Sequence, residues 1–250
     1  FTLQLRGGKK VADFSLNIGM LAVAFAFAGA WLLTGAYRRW AIRVGVIDRP
    51  NERSSHVIPT PRGGGAALVV SAGLTYLLLY LLGENSLMFE PVFVAALLAF
   101  IIALIGFFDD RFNLSVLLRF GSQILLAAMS VAVIYYFYPN LSWVIALLAM
   151  FFIIWMTNLF NFMDGIDGIT AGHVITAGLS FAYVHYTLGE VAFQFHYLIL
   201  AALGAGFLIW NWQPAKIFMG DVGSCFFGFI FAVLAVWSHF SVGLGLPIIF

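Results

Sequence analysis

Charge is what this chain of 250 residues has least of: Asp, Glu, Lys and Arg together make up 9%, against about 25% in an ordinary soluble domain. That scarcity excludes an ordinary soluble enzyme, and a net charge of +1 gives no basic field for a nucleic-acid partner. The single cysteine, Cys225, excludes an internal disulfide and reads as a packing residue. Low-complexity linkers and internal repeats are also missing, and no connection is long enough to form a second, soluble domain.

What is present is apolar. Hydrophobic residues make up 63% of the chain, and the mean hydropathy is +1.01. Runs near 18–37, 66–82, 92–108, 116–138, 142–160, 170–188, 191–212 and 222–240 each approach the roughly 20 residues a helix needs to cross about 30 Å of hydrocarbon. Open strands cannot cross lipid, because their backbone groups would go unpaired. The predicted fold is all-α: a polytopic helical bundle in the lipid bilayer, with eight full spans and residues 241–250 starting a ninth. Residues 1–250 read as a single transmembrane domain, with 1–15 as a tag or a short external tail.

The basic residues separate by the parity of the connections. Arg38, Arg39, Arg43, Arg49, Arg53 and Arg62 fall in the first, Arg111 in the third, Arg119 just inside the fourth helix and Lys216 in the seventh, while the alternate connections carry none. The positive-inside rule makes the odd connections cytoplasmic. Sorted the same way, Asp109, Asp110, Asp164, Asp167 and Asp221 all fall inside at helix ends, and folding would gather them on one membrane face. Carboxylates at close range cannot all stay ionised without opposite charge or a metal. Oxygen ligands without His or Cys suit a hard ion such as Mg²⁺, which takes a few carboxylates and leaves other positions to water and phosphate.

Residues 158–169, "NLFNFMDGIDGI", are the densest part of this pattern. Asn158 and Asn161 lie three apart on the last turn of a helix and point the same way. Asp164 and Asp167 follow the break, each before a Gly that permits a tight turn and close backbone approach to a ligand. In "NWQPAKIFMGDVGS" (211–224), Asn211 ends a helix, Pro214 breaks it, and Asp221 sits between Gly220 and Gly223. The Ile-Phe-Met ahead of Asp221 suggests a loop dipping toward the membrane. Arg119 and Gln123 are four apart and share one helix face, with phosphate binding set against snorkelling for Arg119.

Four segments, "DRPNERSSHVIPTPRGGG", "GFFDDRFNLS", "NLFNFMDGIDGITAG" and "NWQPAKIFMGDVGS", together resemble the cytoplasmic signatures of the polyprenyl-phosphate N-acetylhexosamine-1-phosphate transferases, glycosyltransferase family 4. The match runs from about residue 45 to 230 in the family's order and parity. The first loop, with Asp48-Arg49-Pro50-Asn51 and His56, resembles the bacterial branch that uses UDP-GlcNAc or a related UDP-N-acetyl-amino sugar. The resemblance implies transfer of a sugar 1-phosphate to undecaprenyl phosphate, with release of UMP and Mg²⁺ as cofactor, Mn²⁺ being a substitute. It also implies a start of O-antigen or another surface glycan, at the cytoplasmic face of the bacterial inner membrane. A homodimer is compatible with it. The family carries a His-rich loop beyond the ninth helix, so the chain is expected to be C-terminally incomplete.

The expected roles follow from an acceptor that is a phosphomonoester, already mostly dianionic at neutral pH with a second pKa of about 6. Positioning and charge neutralisation then matter more than a strong base. Asp221 is the first choice for the Mg²⁺ ligand, with Asp110 and Asp164 as further candidates. Asp109 and Asp110 would orient the attacking phosphate or take its last proton. Asn158, Asn161, Asp164, Asp167 and Asn211 would line the nucleotide and metal pocket, and Arg119, Lys216, Arg49 and Arg62 would offset phosphate charge. His56 is the one histidine expected to act.

Three rivals fare worse on the residues. A CDP-alcohol phosphotransferase needs an Arg where "DGITAG" has Gly172. An ion-coupled transporter carries ionisable groups near mid-membrane, and an intramembrane aspartyl protease needs Asp inside facing helices. Here the span centres are free of charge.

Overall fold

The structure, a computed structural model, describes residues 16–50, 58–83 and 90–242. These form eight helices: α1 (Leu16–Val44), α2 (Gly65–Leu81), α3 (Glu90–Phe112), α4 (Val116–Phe137), α5 (Trp143–Met163), α6 (Ile169–Thr187), α7 (Val191–Asn211) and α8 (Asp221–Val242). Six of them, α1, α3, α4, α5, α7 and α8, are long and apolar enough to cross a membrane, and α2 is a shorter apolar helix of 17 residues. The expected ninth helix lies almost wholly outside the described residues. The all-helical, multi-pass reading therefore stands at six long apolar helices, while eight spans and a ninth go further than the structure does.

Two helices run past their apolar segments. α1 continues to Val44 with Arg38, Arg39 and Arg43 still helical, because long basic side chains can lay their stems on apolar surface and keep the charge in water. α3 continues to Phe112, so Asp109 and Asp110 sit on its last turn and not in a loop.

α8 is the axis of the bundle and is buried along nearly all its length. α3 and α5 flank it, α4 bridges α3 and α5, and α1 and α6 pack on α7. Small residues set the closest approaches: a Cβ on Gly206 of α7 would collide with the Phe27 carbonyl and Ala30 of α1. Phe160, Phe226, Phe227 and Phe229 are fully buried and fill the space around α8.

The motif segments meet at one end of the bundle. Beyond α1, β1 (Ile47–Asp48) pairs antiparallel with β2 (Thr60–Pro61), Ile47 opposite Pro61. The loop between α7 and α8 joins them: the Phe218 N–H donates to the Pro61 carbonyl at 2.8 Å, and the N–H groups of Gly64 and Gly65 donate to the carbonyls of Phe218 and Met219 at 2.9 and 2.8 Å. Ile217 and Met219 are fully buried, as a loop dipping into the bundle requires.

Candidate active site

A short turn brings α4 back over the end of α3. Asn113 adopts φ 51°, one of the few non-glycine residues suited to the left-handed region. Ser115 then caps α4 by accepting the Leu118 N–H. One turn further, Arg119 returns to Asp109. The Asp109 carboxylate, 7% exposed, accepts the Leu114 N–H at 2.8 Å on Oδ1 and the Arg119 Nη1 at 3.0 Å on Oδ2. Asp109 is thus the fixed end of a charge-assisted pair whose cation lines a cavity.

That cavity, about 160 Å³, lies between α3, α4, α5 and α8, and its polar wall includes Asp109, Arg119, Gln123, Asn158, Asn161 and Asp221. On α5, the Asn158 amide donates to the Gln123 Oε1 at 2.6 Å. The Asn161 amide faces α8, donating to Ser224 Oγ at 3.3 Å and contacting Cys225 Sγ at 3.7 Å. Asp221 opens α8 and interacts directly with the Asp109 carboxyl and the Asn161 amide. One cation, three amides and two carboxylates at the ends of α3 and α8 can bind and orient a phosphate diester or a hydrated hard cation.

The other candidates are held elsewhere. Asp110 projects about 100° around the helix from Asp109 and lines a second cavity of about 280 Å³ with Tyr37, Trp40, Arg62 and Arg111. Its carboxylate meets the Val222 N–H at 3.4 Å, and its carbonyl accepts the Arg62 Nη2 at 2.8 Å. Asp164 and Asp167 grip the loop before α8, accepting the N–H groups of Gly220 and Ala215, each at 2.9 Å. Burial raises the Asp164 carboxyl well above the ordinary carboxylate range; the Gly220 N–H opposes this, and the Asp221 and Asp110 carboxylates add to it. Asn211, 3% exposed, accepts the Gly168 N–H and donates to the Ile217 carbonyl, both at 3.0 Å, so it ties two loops and has no free face. Lys216 is exposed with its ammonium 6.0 Å from the Trp210 ring centroid. Arg49 is exposed just beyond β1, and His56 lies outside the described residues.

The structure therefore brings Asp109, Arg119, Asn158, Asn161 and Asp221 into one cavity, and does not place Asp110, Asp164, Asp167, Asn211, Lys216, Arg49 or Arg62 on its wall. Gln123 joins Arg119 on the cavity wall as their shared helix face suggested, while Ser224 and Cys225 join the cavity or its immediate support without having been singled out as site residues. Helical spacing held the signal for Cys225, which follows Asp221 by four.

Among the described residues, no three His, Cys, Asp or Glu side chains converge into a cage for an ion. A hard ion with one or two protein carboxylates, completed by water and substrate phosphate, fits this donor set better than a dedicated protein cage. Asp221 is the ligand it would use, with Asp109 beside it.

The family model described as glycosyl transferase family 4 matches residues 92–239, which hold α4 to α7, nearly all of α3 and α8, and every residue of the cavity wall. The chain belongs to this family. Within the glycosyl transferase family 4, it is 30% identical over 235 residues to a probable undecaprenyl-phosphate N-acetylglucosaminyl 1-phosphate transferase of Bacillus subtilis, covering 88% of this chain and 64% of that protein. It is 34% identical over 223 residues to a decaprenyl-phosphate N-acetylglucosaminephosphotransferase of Mycolicibacterium smegmatis, covering 79% of this chain and 54% of the relative. A phospho-N-acetylmuramoyl-pentapeptide-transferase of Staphylococcus aureus is 27% identical over 251 residues, 90% of this chain and 77% of that one. The chain thus spans a little over half to under two thirds of the first two relatives.

Proposed function

We propose that this chain carries the membrane core of an enzyme that transfers N-acetylhexosamine 1-phosphate from a UDP-N-acetyl-amino sugar, UDP-GlcNAc foremost, to undecaprenyl phosphate, releasing UMP. The observation that carries the reading is the convergence of Asp221, Asp109, Asn161 and Arg119 on one cavity in a member of glycosyl transferase family 4. The names of the Bacillus and Mycolicibacterium relatives support the acceptor and the sugar class. The basic residues at the motif end support a cytoplasmic site in a bacterial inner membrane.

The acceptor dianion needs no strong base, so the residues act by holding two anions together. Arg119, fixed by Asp109, offers its guanidinium to a phosphate oxygen at the cavity mouth. Asn158 and Asn161 present amides from one face of α5, Asn158 braced by Gln123 and Asn161 by Ser224. Asp221 and Asp109 provide the carboxylate side of the cavity, where Mg²⁺ would be held chiefly by Asp221. When bound, that ion would neutralise charge on the pyrophosphate oxygens and favour departure of UMP.

The test is a donor panel with the full-length protein in lipid nanodiscs and undecaprenyl phosphate. Lipid-linked sugar and UMP should form in equal amounts from a UDP-N-acetyl-amino sugar. UMP release without a lipid product, or no turnover of any such donor, would reject the reading.

A further inference from the structure

A helix leaves its first amide N–H groups without intrahelical partners, and α8 begins behind Gly220, which has no side-chain oxygen to accept them. The acceptors come from elsewhere in the chain. Asp164, in the turn after α5, accepts the Gly220 N–H at 2.9 Å. Asp110, on the last turn of α3, accepts the Val222 N–H at 3.4 Å and lies beside the Asp221 N–H. Gly220 stands at φ 75°, and a Cβ there would lie 2.7 Å from the Asp110 Oδ2. Ser224 Oγ closes the turn by donating to the Gly220 carbonyl at 3.1 Å. On its far side Asp110 is fixed through its own carbonyl by Arg62. Neither Asp110 nor Asp164 lines the cavity that Asp221 faces.

We infer that Asp110 and Asp164 are positioning residues: from two separate elements they cap α8 and fix the direction in which the Asp221 side chain leaves it. Resting on the reading of Asp221 given above, this removes both from the set that touches metal or phosphate. Negative charge at a helix N-terminus is favourable, which suits two carboxylates to the start of α8. The arrangement also explains a glycine at 220, where any side chain would displace the Asp110 carboxylate.

A cap needs an acceptor oxygen, whereas a metal ligand or base needs the charge. Asn keeps the first and loses the second, and Ala loses both. The experiment uses full-length protein in nanodiscs, with Asp110→Asn, Asp110→Ala, Asp164→Asn, Asp164→Ala and Asp221→Asn. Three quantities are read: the apparent unfolding midpoint in EDTA, Mn²⁺ affinity by electron paramagnetic resonance, and initial rate. The two Ala variants should lose about 3 °C or more in EDTA and the two Asn variants about 1 °C or less, as for loss and retention of a cap. Mn²⁺ affinity should stay within about threefold of wild type in both Asn variants, each keeping at least about a tenth of the rate, while Asp221→Asn loses binding about 100-fold.

Wild-type midpoints in both Ala variants would overturn the cap. So would loss of Mn²⁺ affinity in Asp110→Asn or Asp164→Asn as deep as in Asp221→Asn with the midpoint unchanged, because that variant would then be missing a ligand. The EDTA midpoints need neither metal nor substrate. They judge the cap even if Asp221→Asn keeps its Mn²⁺ affinity, a result that counts against the role of Asp221 alone.

Discussion

The Arg119 guanidinium donates to the Asp109 carboxylate at 3.0 Å, and the other oxygen of that carboxylate takes the Leu114 N–H. Each oxygen already holds a donor, and on the proposed reading Asp109 orients Arg119 rather than taking a proton from the acceptor. In Asp109→Asn the rate should fall by the same factor from about pH 6 to 8.5, because no base is lost whose work the acceptor dianion could take over at high pH. A loss that shrinks steadily as pH rises would restore Asp109 as a base. Arg119→Gln should do much of the same damage, and the double variant should cost less than the sum of the singles by about 1–3 kcal/mol. A double-mutant cycle of initial rates measures that coupling.

Asp221→Asn preserves shape and removes the charge a hard cation requires. The rate should fall by more than about 10², the scale of losing a main electrostatic element, and the divalent-ion requirement proposed for the wild type should shift to higher concentration. Titration of rate against Mg²⁺ checks both. A variant with a near-normal rate at limiting Mg²⁺ would remove Asp221 as principal ligand.

Much of this site was legible in the sequence as residue types and little of it as roles. The apolar runs located all eight helices, and three-residue spacing placed Asn158 and Asn161 on one face. What spacing could not show is that Asp110, Asp164 and Asp167 spend carboxylate oxygens on backbone N–H groups of Val222, Gly220 and Ala215. Backbone donors carry no side-chain identity, so a partner 112 residues away leaves no mark in the sequence. Asn211 misled for the same reason: a polar residue at a helix end reads as pocket lining, yet its amide is used up between Gly168 and Ile217. The helix ends were blurred because α1 and α3 keep their hydrogen bonding into water, where apolar content no longer marks them.

The orientation of the motif end can be read chemically. With Cys225 removed, cysteines at Ile166 and Gln213, both exposed, should resist a membrane-impermeant maleimide in intact cells and react after permeabilisation. A cysteine at Asn140, exposed between α4 and α5, should show the reverse protection pattern by reacting in intact cells. Labelling of 166 or 213 from outside would invert the topology.

The Asn158–Gln123 bond separates stability from activity. Gln123 is 8% exposed, and its Oε1 takes the Asn158 amide at 2.6 Å. Asn158→Ala leaves that acceptor without its donor, which should lower stability by about 1 kcal/mol. Replacing both residues by apolar ones, Asn158→Leu with Gln123→Leu, removes the unpaired acceptor along with its donor, so the unfolding midpoint should recover toward wild type. The cavity then loses two of its three amides, and KM for the UDP-sugar should rise at least about tenfold in the double variant. Unfolding curves and donor KM values on the same preparations decide the matter. Recovery of both together would make the pair a packing feature, and recovery of the midpoint alone would make it part of the substrate wall.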